Sequence, residues 1–171
     1  MAKSKKTPKK RTGGPYLSAA VFCDNVVEGA DGAMSAIRII DHVTIAIPAD
    51  APPDVPSEDK RLLAQVWALV ALKRGDAAGP HEIRFVTHSP SGKSEVTAVR
   101  QILFRDEPYS GANMRINFQV GIKEGGLFWV DVFVGKRLMT RMPLQITVKR
   151  QEATPAPNEV KQKPKPRRKR K

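Results

Sequence analysis

Between Met114 and Lys123 the chain alternates with period two. Met114, Ile116, Phe118, Val120 and Ile122 fall on one side, and Arg115, Asn117, Gln119, Gly121 and Lys123 on the other. Successive side chains of an extended strand point to opposite faces, so this pattern predicts a strand with one face in a core and one in water. Leu127 to Val134 repeats it, with Phe128, Val130, Val132 and Val134 on one face and Leu127, Trp129, Asp131 and Phe133 on the other. Glu124-Gly125-Gly126 between them predicts a hairpin turn and Gly135-Lys136 a second tight turn, after which Leu144 to Val148 closes the sheet.

Upstream, Tyr16 to Cys23 is a short apolar run ended by Asp24-Asn25, and EGADG (28–32) is a turn. Ser35 to Ile47 is β-branched and long enough for two strands or one bent strand. Leu62 to Lys73 is ambiguous. Leu and Ala favour helix, whereas Gln65, Val66, Trp67, Val70 and the neighbouring strands favour a buried strand, which is the reading adopted. His81 to Thr87 and Ser94 to Phe104 form two more strands joined by an SPSGK turn (89–93). Seven to nine short strands on about 135 residues predict a mainly β fold, a two-sheet antiparallel β-sandwich, Ig-like or related.

The segment at 48–60 holds four prolines and four acids, so it reads as a long surface loop. A length of 171 residues suits one domain with a sizeable core. The divisions expected are a disordered basic N-terminal tail at 1–14, the sandwich at 15–149 and a disordered Pro/Lys/Arg-rich C-terminal tail at 150–171. Charge sharpens this picture. Residues 1–12 carry six bases and no acid, residues 149–171 ten bases and two acids, and residues 13–148 fourteen bases and fifteen acids. The tails therefore hold +6 and +8 while the core holds −1, so the pI near 10 describes the tails alone. Neither tail can bury enough apolar surface to offset its ordering entropy.

An opening strand ending in Phe22-Cys23-Asp24-Asn25-Val26, a GADGAMSAIRI turn and strand, and a closing Gly-Leu-Phe-Trp-Val-Asp-Val-Phe-Val with Leu138 and Met142-Pro143-Leu144 resemble a set of bacterial domains of unknown function. The resemblance spans roughly Tyr16 to Val148. It implies a β-sandwich in a bacterial or phage setting and carries over no catalytic residue, and the basic tails depart from it.

The tails are the strongest functional feature. Lys3, Lys5, Lys6, Lys9, Lys10 and Arg11 at one end, with Lys161, Lys163, Lys165, Arg167, Arg168, Lys169, Arg170 and Lys171 at the other, point to nucleic acid or another polyanion. Such cations release condensed counterions and bind without reading sequence. The tails lack every aromatic residue, hence any base-stacking platform. In a eukaryotic cell PRRKRK would also read as a nuclear import signal. A single cysteine, Cys23, fits a reducing compartment, the first twelve residues lead into no apolar signal core, and the longest apolar stretch falls short of a bilayer span, so a cytoplasmic protein without a membrane segment is expected.

Other chemistry has little support in the sequence. His42, His81 and His88 lack metal-ligand spacing, and Asp24, Asn25, Glu28 and Asp31 lack that of an EF-hand and read as a turn. Cys23 would be a nucleophile only beside His42 or His81, and a buried structural role is favoured. SPSGK lacks the first glycine of a phosphate loop, and Arg74-Gly75-Asp76 matches an adhesion tripeptide by chance. Trp129 and Phe133 beside Asp131 predict a partly apolar second face covered by a loop or, less favoured, by a protein partner. No metal, cofactor, catalytic set or small-molecule substrate is implied. The expected function is a non-enzymatic binding or scaffold protein with nucleic-acid-binding tails. The alternative is a structural or assembly component of a bacterial or phage complex whose arms contact acidic protein surfaces. An enzyme would need a pocket gathering Asp24, His42 and Cys23.

Overall fold

The computed structural model describes residues 13–47, 62–107, 109–122 and 125–150. The 48–60 loop and both tails, from Lys3 to Arg11 and from Lys161 to Lys171, lie outside the described residues. Among the described residues there are nine strands: β1 Tyr16–Glu28, β2 Met34–Ile40, β3 His42–Ile47, β4 Leu62–Lys73, β5 Gly79–His88, β6 Ser94–Phe104, β7 Gly111–Ile122, β8 Gly126–Val134 and β9 Arg137–Arg150. They form a two-sheet β-sandwich, one sheet ordered β2-β1-β4-β7 and the other β3-β9-β8-β5-β6. Among the described residues no helix is long and apolar enough to cross a membrane.

The ambiguous segment 62–73 is a strand. Held between β1 and β7, it places Val66, Ala68, Val70 and Leu72 in the main core. Ala and Leu serve here as small and large core residues rather than as helix formers, because tertiary burial outweighs intrinsic propensities of less than about 1 kcal/mol per residue. The main core is built from both inner faces, including Ile83, Phe85, Phe104, Phe118, Val132, Leu144 and Ile146.

Three expectations need correction. The sandwich is not wholly antiparallel, since β3 pairs with β9 in parallel, from His42↔Gln145 to Ile47↔Arg150. The run 34–47 leaves one sheet and joins the other at a bend at Asp41, whose carbonyl accepts the Gln145 N–H at 2.8 Å.

The hairpin expected at 124–126 does not join β7 to β8. β7 pairs with β4, whereas β8 pairs with β5 and β9 in the opposite sheet, so the connection crosses between layers. Alternation shows that each strand buries one face and leaves open which sheet owns it.

Asp24-Asn25 does not end β1, which runs on to Glu28. The register of β1 against β2 skips the Asp24–Arg38 pair, Arg38 has φ 50°, and the two side chains form an ion pair at 2.9 Å. Phe22 lies in the main core, while Cys23 and Val26 share a second cluster with Leu69, Met34 and Trp67. The face presented by the strand thus shifts by one residue across this irregularity, which absorbs the polar pair. The chain then reverses at Gly29–Ala33, where Gly29 N–H donates to the Ala33 carbonyl at 2.8 Å and Gly32 takes φ 76°.

Candidate functional site

Asp131 is one of two buried polar or charged residues among those described, at 4% exposure on the outer face of the five-stranded sheet. The other, Thr87, pairs its hydroxyl with that of Thr97. A carboxylate at such a position requires charged or hydrogen-bonding partners. Arg141, directly opposite on β9, grips it with both ends of its fork, Nε to Oδ1 at 2.6 Å and a terminal nitrogen to Oδ2 at 2.8 Å. His88 on β5 adds Nε2 to Oδ2 at 3.0 Å, and its Nδ1 lies 2.7 Å from the Ser94 hydroxyl. The hydrogen bonds of Arg141 are the largest cause that holds the Asp131 carboxyl below its ordinary value, against the opposing effect of burial. Beside this group Arg84 lies over the Phe133 ring at 5.2 Å. On the second face of β8, Asp131 and Phe133 are thus in contact with side chains of neighbouring strands, while Leu127 on the same face is exposed.

Ser94, His88 and Asp131 follow the order of hydroxyl, imidazole and carboxylate used in acyl transfer. Such chemistry also needs donors aimed at a developing oxyanion. The amides just before Ser94 are engaged inside the 89–93 turn: Gly92 N–H donates to the Ser89 carbonyl at 2.9 Å and Lys93 N–H to the Ser89 hydroxyl at 3.2 Å. The carboxylate is already neutralised by Arg141. What the arrangement does is tie β5, β8 and β9 together across one sheet face. Neither Asp131 nor His88 was singled out from the sequence as part of a polar group.

A groove of ≈ 860 Å³ runs where the edges of the two sheets, β6 and β7, face each other. Its floor includes Ala98, Ile116 and Phe118, and Arg100, Arg115 and Asn117 are among its polar lining residues. Such a volume is within the roughly 300–1,000 Å³ of ordinary ligand sites. Both alternating sets of β7 side chains contribute, so the groove wraps around the edge of that strand that no other described strand pairs with.

The remaining sequence candidates are dispersed. Cys23 is fully buried in the second cluster, and burial pushes its thiol above the usual range. His42 is paired with the Thr147 hydroxyl at 2.8 Å and His81 with the Ala78 carbonyl at 3.2 Å, while Asp24 pairs with Arg38, so Asp24, His42 and the buried Cys23 are not gathered in one group. A thiol reagent is expected to label less than about a tenth of Cys23 in the native chain within minutes and all of it in denaturant, as a colorimetric thiol assay would show. Asp31 Oδ1 accepts the Ala33 N–H at 3.0 Å, and among the described residues no group of three or more His, Cys, Asp or Glu could hold a metal. In the Arg74-Gly75-Asp76 turn, Asp76 accepts the Gly13 N–H at 2.7 Å and Arg74 pairs with Asp106 at 2.8 Å, so both charges are held within the domain.

No family model matches the chain, and no curated protein matches it. Among solved structures the chain is similar to an immunoglobulin-like protein from Pseudomonas aeruginosa, at 14% identity and a TM-score of 0.38, covering 80% of this chain and 98% of that one. It is also similar to part of a beta-glucosidase from Listeria innocua solved with gluconolactone, at 12% identity and a TM-score of 0.42. That match covers 79% of this chain and spans only 17% of the enzyme's. Neither likeness bears on activity. The two-sheet β-sandwich that the resemblance to bacterial domains implied is present, and it rests on the strand pairing itself.

Proposed function

We propose that the chain is a non-enzymatic binding or scaffold protein of the cytoplasm, in which two basic tails hold nucleic acid or another polyanion without reading its sequence. The charge partition carries this reading: residues 1–12 hold +6 and residues 149–171 hold +8, the first two of them at the end of β9, while residues 13–148 hold −1. Lysines and arginines gain affinity by releasing counterions, and without aromatic residues they have no means of selecting bases. The test is an anisotropy titration of labelled single- and double-stranded oligonucleotides over a salt series. The full chain is compared with a full-length variant in which the fourteen tail cations, Lys3 to Arg11 and Lys161 to Lys171, are replaced by glutamine. Affinity of the native chain is expected to fall linearly on a log–log plot against salt, and the variant to bind at least about tenfold more weakly with a flatter slope. Equal binding by the two chains would end this reading.

The second reading, an assembly component whose arms meet acidic protein surfaces, is favoured by one feature of the sandwich. Val96, Val99, Leu103 and Leu138 on the outer face of the five-stranded sheet are 57%, 43%, 62% and 46% exposed. An apolar surface of this kind is the usual mark of a protein contact. A discrete oligomer, stable to salt and formed without nucleic acid, would be its signature in light scattering.

A further inference from the structure

We propose that the free edge of β7 is a binding site for an extended, acidic segment of a partner protein, which adds to the four-stranded sheet as a fifth strand. Independently of the tails, four strands end the sheets among the described residues, β2, β7, β3 and β6. An exposed edge is a template for pairing, so folded proteins shorten, kink or bulge their edges. Three of the four are blunted in this way. β3 has six residues, β2 has seven with Arg38 at φ 50°, and β6 carries a register shift opposite Phe85/Val86. β7 differs. It pairs with β4 without a break from Leu62↔Ile122 to Lys73↔Gly111, twelve residues with neither bulge nor proline, and its other side opens into the ≈ 860 Å³ groove.

The chemistry of the groove selects the occupant. A strand laid against β7 would direct alternate side chains to its two flanks. On the inner flank lie Ala98, Ile116 and Phe118, apolar and with room left by the small Ala98. On the outer flank lie Asn113, Arg115 and Asn117. Arg100 of β6 shares the inner side with Ala98 and donates to the Val99 carbonyl at 2.8 Å, and the described lining has no carboxylate. A second copy of β7 would bring Arg115 against like charge. A segment alternating apolar and acidic residues instead meets apolar floor on one side and arginine on the other, with its backbone satisfied by the edge.

The test uses the full chain in 0.5 M salt, where screening over about 4 Å suppresses attraction to the tails. The probe is a fluorescein-labelled octapeptide alternating Val and Glu, with a Val/Lys octapeptide and a twelve-residue oligothymidylate as comparisons. The acidic peptide is expected to bind and to protect from hydrogen exchange the alternate β7 amides that β4 leaves free. Ala98→Phe, which fills the floor, and Arg115→Glu, at an exposed position, are each expected to weaken binding at least tenfold. Arg100→Glu gives a second exposed substitution should Ala98→Phe fail to fold. Any of four results overturns the proposal: no binding by the acidic peptide, binding without β7 protection, binding unchanged in the variants, or protection of the same amides by the oligothymidylate, which would assign the groove to nucleic acid.

Discussion

Phe118→Ala is expected to destabilise the domain by about 4 kcal/mol, seen as a lower midpoint in urea with little change in slope. Phe118 is 1% exposed on β7 and meets two other rings edge to face, Phe22 of β1 at 6.0 Å and Phe85 of β5 at 5.6 Å. Phe22 belongs to its own sheet and Phe85 to the other, so the ring is part of the contact that joins the layers. Truncating a buried phenylalanine costs about 3–5 kcal/mol in transfer and cavity terms, and each aromatic pair adds about 0.5–1.5 kcal/mol beyond area. Domains of this size have about 5–15 kcal/mol in all, so the variant should sit near the limit of folding. Phe118→Leu, which keeps most of the volume, should lose about 1–1.5 kcal/mol. Similar losses for the two variants would show that the cavity is not what matters.

That ring was legible in the sequence, because Phe118 stands at the centre of the clearest period-two run in the chain. The buried face of β8 was legible for the same reason, and Phe128, Val130, Val132 and Val134 all lie in the core. Periodicity reports which side of a strand is buried and is silent on the neighbour across it. Hence a Gly-rich link between two amphipathic strands predicts a hairpin, whereas β7 and β8 belong to different sheets. The parallel pairing of β3 with β9 joins segments about a hundred residues apart, and no local signal encodes it.

The polar group around Asp131 was hidden by a single residue. Counting back symmetrically from the Gly135-Lys136 turn opposes Val134 to Arg137 and would set Asp131 opposite Thr140. The ladder follows that count only as far as Phe133↔Leu138, and a shift between Val132 and Phe133 then brings Arg141 across from Asp131. A bulge of this kind depends on how the twisted strand packs, so the sequence showed an isolated acid on an aromatic face. The β7 groove was equally invisible, since an edge is defined by what fails to pair with it.

Asp131→Asn is expected to cost about 2 kcal/mol at pH 7, because hydrogen bonds to a charged group contribute roughly 1.5–3 kcal/mol and the amide keeps the shape while losing the charge. The effect has a definite pH dependence. The folded-state carboxyl titrates below its ordinary value of 3.8, so on acidification the unfolded chain takes up the proton first. Stability from the carboxylate is therefore fully present well above 3.8 and is lost as pH falls through that value toward the depressed one. Urea midpoints of native and Asp131→Asn chains should differ most at neutral pH and converge below about pH 4, with effects of the other carboxylates cancelling in the difference. Arg141→Leu should behave differently, since it leaves a carboxylate 5% exposed with only His88 beside it. The loss should exceed that of Asp131→Asn, because a buried carboxylate is left without its main partner. In that variant burial works to raise the carboxyl pKa, so acid should relieve part of the defect before it unfolds the chain. A gap between native and Asp131→Asn chains that stayed constant from pH 7 to pH 3 would mean that shape, and not charge, is what Arg141 recognises.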